Sequence, residues 1–178
     1  MNSRNSPRRG RDEEVRVQLP LLDRLIDDAP DARGDLPLSA AEADEALKRS
    51  VRRDLEALLN SRRRWRSWDA GYAELATSLI GYGIADFASG AFNHVEQRDR
   101  LRADVELAIR RFEPRLSNIK VTLIERPDNL ASTLHLRVDA MLRTEPAPEP
   151  IAFDTLVDAS TAEIFVRANA NPEASDGV

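Results

Sequence analysis

The residues of this chain best placed to do chemistry stand at FEPRL, residues 112–116, where an acid, a proline and an arginine follow one another. Glu113 could act as a proton donor or nucleophile if a second carboxylate, Glu125 or Asp139, stood about 5 to 10 Å away, as glycoside cleavage requires. Arg115 speaks against it, because a neighbouring cation favours the charged carboxylate and spoils a general acid. His94 and His135 lie 41 positions apart and fit no metal-ligand spacing, so each reads as a surface histidine. Ser, Asp and His occur without a nucleophile elbow, and GYG at 81–83 reads as a turn, not a phosphate loop. The chain has no cysteine, which removes thiol nucleophiles, disulfides and Cys-ligated zinc. No cofactor is expected, no catalytic residue is assigned, and the chain reads as a non-enzyme.

A second candidate is basic. Eight cationic residues fall between Lys48 and Arg66, with Arg62, Arg63 and Arg64 in a row, against only Asp54 and Glu56. Trp65 and Trp68 adjoin them, and arginines interleaved with aromatic rings can hold single-stranded nucleic acid. No recognised nucleic-acid module accompanies them, and a net charge of −5 disfavours general polyanion binding. Arginine and tryptophan are favoured protein–protein anchors, so Arg62, Arg63 and Arg64 are assigned to a protein partner.

These residues need elements to hold them. SAAEADEALKRSVRRDLEALLN opens with a capping box, Ser39 and Glu42, and carries a buried stripe of Leu47, Val51, Leu55, Leu58 and Leu59. ELATSLIGYGIADF predicts a short helix ending in a glycine turn. Asn93 and Glu96 can cap a further helix, with Leu101, Val105, Ala108, Ile109 and Phe112 on one face. Pro114 ends that helix, having no N–H and disfavouring helical dihedrals at Glu113. The period then changes from 3.6 to 2. NIKVTLIE is a strand, RPDN a turn, and STLHLRVDAML alternates strictly, with Leu134, Leu136, Val138, Ala140 and Leu142 inward and Thr133, His135, Arg137, Asp139 and Met141 outward. TEPAPEP is a stiff connector whose prolines guard one strand entrance. IAFDTLVD and AEIFVRA form a hairpin around Asp158 to Thr161.

Helices first and antiparallel strands after give an α+β class, a small antiparallel sheet of about four strands against two to four α-helices. The 178 residues, 42% hydrophobic and 32% charged, suit one core with an ionised surface. No segment approaches the roughly 20 apolar residues of a membrane span, and the basic N-terminus lacks the apolar core of a signal peptide, so a soluble cytosolic protein is expected. Residues 1–17 read as a disordered tail, 18–38 as a short helix (LPLLDRLIDD) and linker, 39–168 as the main domain and 169–178 as a second disordered tail. Leu19, Leu22, Leu25 and Ile26 share one face of the short helix. A helix so short must dock on its own domain or on a partner.

In chain order LLDRL, SVRRDLEALLNSRRR, SLIGYGIADF and FEPRLSNIKVTL resemble the TssE family, the small baseplate subunits of bacterial type VI secretion systems, related to a baseplate wedge protein of contractile-tailed phages. The resemblance covers roughly residues 19–168, and Ala85 stands where the family often has proline. It implies a structural part that docks on the baseplate subunits TssF and TssG through Glu113, Pro114 and Arg115. It also implies that the sheet templates the sheath subunits TssB and TssC by strand addition. The implied place is the cytoplasm, at the inner face of the membrane complex, with no membrane insertion and no nucleic acid. The short helix, through Leu22, Leu25 and Ile26, is expected to dock as well. The family's lysozyme-like label implies a peptidoglycan hydrolase as the alternative activity, which the Glu113–Arg115 neighbourhood disfavours. Nucleic-acid binding by residues 48–66 is the other.

Overall fold

The computed structural model describes residues 20–26, 39–63, 67–87, 94–124, 133–145, 147–158 and 160–169. The N-terminal tail, Leu19, residues 170–178, RPDN, Asn93, Glu125, Arg64, Trp65 and Arg66 lie outside these residues, whereas Asn169, read as the start of the second tail, ends the last strand and pairs with Ala152. Among them the chain runs α1 (Leu21–Leu25), α2 (Ala40–Asn60), a 3₁₀ segment (Ala70–Thr77), α3 (Val95–Phe112), β1 (Leu116–Ile124), β2 (Thr133–Leu142), β3 (Glu149–Asp158) and β4 (Glu163–Asn169). The expected α+β class holds. The strands form one antiparallel meander in the order β1-β2-β3-β4.

α2 starts as its sequence demands. Ser39 N–H donates to Glu42 Oε2 at 2.9 Å while Ser39 Oγ accepts from Glu42 N at 3.3 Å, so two otherwise orphaned donors are satisfied reciprocally. Its stripe of Leu47, Val51, Leu55, Leu58 and Leu59 is buried as expected. α3 buries Leu101, Val105, Ala108 and Ile109. α2 packs against β4, α3 against β1, and the helices touch each other, so both lie on one face of the sheet. The inward rows Val121–Val138–Phe153 and Leu136–Thr155–Val166 meet them there. Removing each large side chain of this layer from water contributes roughly 1.5–3 kcal/mol.

Four expectations change. The segment after Trp68 is 3₁₀, not α-helical, and kinks at Tyr72 (φ −107°, ψ 50°). Thr77 Oγ1 and Ser78 Oγ donate to the carbonyls of Glu74 and Leu75, competing with helical N–H donors, which keeps the turns tight and short. The N-cap of α3 is His94, which makes no side-chain cap bond. β1 begins at Leu116, earlier than NIKVTLIE, because Leu116 and Ser117 already pair with Leu142 and Met141, ahead of a bulge where Asn118 adopts a positive φ of 51° and the register shifts between Ser117 and Lys120. Arg137 is buried despite its outward position. It lies in a cross-strand row with Thr122, Asp154 and Arg167 and donates through Nε to Asp139 Oδ1 at 2.8 Å. A long side chain laid along a sheet among polar neighbours is covered by them, which alternation alone does not register. The hairpin turn is as expected, with Asp158 Oδ1 accepting from Ser160 N and Ser160 Oγ.

Candidate functional site: an ion-pair chain beneath the Glu-Pro-Arg corner

The corner begins where α3 must stop. Glu113 is the C-cap with ψ 80°, its N–H still bonded to Ile109 O at 2.9 Å, and Pro114 prevents another helical turn. The chain turns at once, Leu116 N donating to Glu113 O at 3.2 Å, and this tight turn folds Arg115 back over Glu113. Arg115 Nε donates to Glu113 Oε1 at 2.6 Å and Nη2 donates to Glu113 Oε2, a bidentate fork. The same guanidinium reaches α2, with Nη1 on Ser50 Oγ at 3.1 Å and Nη2 on Asp54 Oδ2 at 2.7 Å.

The chain of charges continues. Arg53 Nε donates to Asp54 Oδ1 at 3.1 Å, and Arg53 Nη1 donates to Asp23 Oδ1 of α1 at 2.6 Å. Glu113, Arg115, Asp54, Arg53 and Asp23 thus alternate in sign across three helices, with Ser50 bridging the two arginines. Glu113 is only 4% exposed and depends on Arg115 as its ionic partner. Burial acts to lower the Arg115 pKa, but the bonds and charges of Glu113 and Asp54 outweigh it and push it above the ordinary arginine range. A cavity of about 400 Å³ lies over the corner, lined by Pro20, Leu58, Tyr82, Phe112 and Pro114 beside the charges. Tyr82 meets Phe112 edge-on at 5.2 Å, and burial, then the charges of Asp54 and Glu113, push its phenol pKa upward.

α1 attaches by charge, not by its apolar face. Leu22, Leu25 and Ile26 are 55%, 74% and 48% exposed, and Asp23 accepts hydrogen bonds from Arg53 of α2. Burial opposes ionisation of Asp23, but the Arg53 and Ser50 bonds win and hold its pKa below the ordinary 3.8. A depressed folded pKa gives stabilisation that is complete above 3.8 and lost as pH falls through the lower folded value. A fluorophore on a cysteine introduced at Ile26 should therefore gain rotational freedom as pH drops below about 4. Asp23→Asn should show that freedom already at pH 7, and an anisotropy unchanged in both cases would sever Asp23 from docking.

The basic cluster is largely turned to internal use. Arg62 stacks on the Phe87 ring at 4.4 Å and donates to Leu59 O and Ala162 O, and burial lowers its pKa against the pull of Asp86. The Arg63 side chain is mostly covered, 3.9 Å from Asp104. Lys48 pairs with Asp44 and Glu149, and Arg52 with Glu56. Of the proposed carboxylate partners of Glu113, Asp139 is tied to Arg137 on the far face of the sheet. Glu113 and Asp54 themselves share Arg115. Sequence reading singled out Glu113, Pro114 and Arg115 but not Ser50, Asp54, Asp23 and Tyr82, which the fold brings to the same corner. The spacing of Ser50 and Asp54, four apart on α2, was the available signal.

The chain is thus a small α+β domain, a meander covered by helices on one face, with its densest charges joining its own elements and exposed leucines beside them. Among the described residues no helix is long and apolar enough to cross a membrane. The family model for baseplate wedge protein gp25 matches residues 45–147, more than half of the chain, and the chain belongs to that family, which includes the TssE subunits. Membership gives it a structural role in a baseplate of the phage or type VI secretion kind, in contact with other baseplate components. No curated protein matches the sequence.

Proposed function

We propose that this chain is the TssE-type subunit of a type VI secretion baseplate, working in the cytoplasm at the inner face of the membrane complex. It docks on TssF and TssG beside the Glu-Pro-Arg corner and starts TssB–TssC sheath polymerisation by strand addition. The observation that carries this reading is the pairing of the exposed α1 leucines with the corner cavity, joined through Asp23, Arg53, Asp54 and Arg115 within a baseplate wedge domain. Exposed apolar groups next to a preformed cavity suit a partner helix, and the ion-pair chain holds both halves of that surface in register. Pro114, exposed at the corner, contributes shape. Arg62 and Arg63 serve the fold instead of the partner, because their guanidinium groups face their own chain.

Leu22→Asp with Leu25→Asp tests this cleanly, since both side chains are exposed and the free subunit should keep its unfolding midpoint. Co-purification with TssF and TssG should fall at least tenfold, the loss that about 1.4 kcal/mol produces, and sheaths in cells should become rare. Normal recovery of both partners with the double variant would refute docking through α1.

A further inference from the structure

We infer that the strand added to this sheet pairs with β1, not β4, and that it is an acidic segment anchored between Arg110 and Arg143; the inference rests on the strand-addition reading above. Both outer strands turn backbone groups away from the sheet, and a neighbouring helix guards each. The guards differ. At β4 the Asn60 amide stands in for a neighbouring strand, with Nδ2 donating to Ile164 O at 2.8 Å and Oδ1 accepting from Ile164 N at 2.9 Å. Arg52 donates to Val166 O at 3.3 Å and Arg62 to Ala162 O, so the alternate outward positions 162, 164 and 166 are filled in succession. An incoming strand would have to strip all three.

At β1 the guard is looser. Val121 N donates to Glu106 Oε2 at 3.3 Å, Arg102 donates to Val121 O at 3.4 Å, and Arg110 donates to Ile119 O at 3.4 Å, all beyond the usual N–H···O length. The same side chains also pair among themselves, Arg110 with Glu106 at 2.8 Å and Arg102 with Glu106 at 3.7 Å. They can release the strand and keep their ion pairs, as Arg52 can with Glu56 at β4; the firm closure at β4 is the pair of short Asn60 bonds, for which Asn60 has only the Glu56 carbonyl in exchange. From Lys120 to Ile124 the register with β2 is regular, leaving a straight edge beyond the bulge.

The bulge supplies the anchor. Where Asn118 takes its positive φ, a cavity of about 500 Å³ opens, lined by Ser117, Asn118, Ile119, Arg110 and Arg143, with no carboxylate among its described lining residues; Arg110 also pairs with Glu106 at 2.8 Å, and Arg143 brings the second cation. Two guanidinium groups around a polar cavity suit a carboxylate, and the edge beside it suits an extended backbone. One chain supplying both is an acidic strand.

Backbone hydrogen exchange on the full chain, alone and with purified TssB–TssC, tests the assignment. Amides of residues 119–124 should exchange at least tenfold more slowly in the complex while those of 162–168 do not change. Arg110→Gln with Arg143→Gln, both at exposed side chains, should lower the unfolding midpoint only slightly, since the Arg110–Glu106 pair lies at the surface, and should weaken binding at least tenfold. Protection confined to 162–168 would overturn the β1 assignment and leave strand addition standing. A complex that protects neither edge, or no complex at all, would overturn strand addition and this inference together. Undiminished binding by the double variant would remove the acidic anchor.

Discussion

Arg115→Ala is expected to destabilise the free subunit by about 3 kcal/mol, before any partner is considered. The reason is the burial of Glu113, which keeps 4% of its surface and relies on the Arg115 fork as its salt bridge. Removing the arginine leaves a carboxylate out of water with no cation, and breaking a buried pair from one side typically costs about 3–5 kcal/mol. The lower end applies because the Arg115 side chain is 23% exposed and water can enter the space it vacates. The bonds to Ser50 and Asp54 go as well, so the start of β1 loses its hold on α2. Urea unfolding should show a lower midpoint at an unchanged slope. Adding Glu113→Gln should restore part of the loss, since the unpaired charge is gone, and Asp54→Ala alone should cost about 1 kcal/mol or less because Asp54 is 35% exposed. An Arg115→Ala protein as stable as the parent would mean that the corner is not an internal staple. The consequence for function is practical: loss of assembly in cells carrying Arg115→Ala would not by itself locate a docking surface. The α1 leucine variants and stability measurements separate the two.

The second large effect is at Gly83. Its φ is +94°, and an added Cβ would collide with Ser61 O and stand 2.7 Å from Ser61 C, both backbone atoms that cannot swing aside. Gly83→Ala combines the left-handed penalty of about 1–2 kcal/mol with that collision, and a loss of about 3 kcal/mol is expected. The close approach exists because residues 61–63 pair with Ile84, Ile84 N donating to Ser61 O at 3.0 Å and Arg63 N to Ile84 O at 2.8 Å. Pushing the strands apart also moves Tyr82 off Phe112, so the corner cavity should change shape and the near-ultraviolet dichroism with it. Gly71→Ala is the control. Its Cβ would meet only the end of the Asp69 side chain at 3.1 Å, and its effect should stay within about 0.5 kcal/mol. Equal effects at the two glycines would sink the collision account.

Gly83 also shows where sequence reading stops. GYG is legible as a turn from composition, but that one glycine faces the backbone of Ser61 is a fact of two segments meeting. The start of α2, the end of α3, the switch to period two after Pro114, the four strands and the α+β class are local matters of capping, stripe and alternation, and they were readable. The 3₁₀ segment was not, because hydroxyls competing for carbonyls leave the apolar pattern almost unchanged. Arg137 was misread as wet because burial on a sheet face depends on the cross-strand row, which alternation along one strand cannot supply.

The sequence by itself determined the class of fold, the corner at Glu113-Pro114-Arg115 and the family to which these motifs belong. Each of these follows from residues within one turn or one strand of each other, or from their order along the chain. Tertiary structure alone decided what the corner does within the fold. Arg115 is adjacent to Glu113 in sequence, but Asp54 is 61 positions away and Asp23 lies 30 positions from Arg53. Only packing of α1, α2 and the α3 terminus brings these charges within hydrogen-bond reach. A bond strongest below 3 Å is then available to groups that no local rule pairs. The same packing sets Asn60 against β4 and the Arg102–Glu106–Arg110 group against β1, which is why the two edges differ in how firmly they are closed.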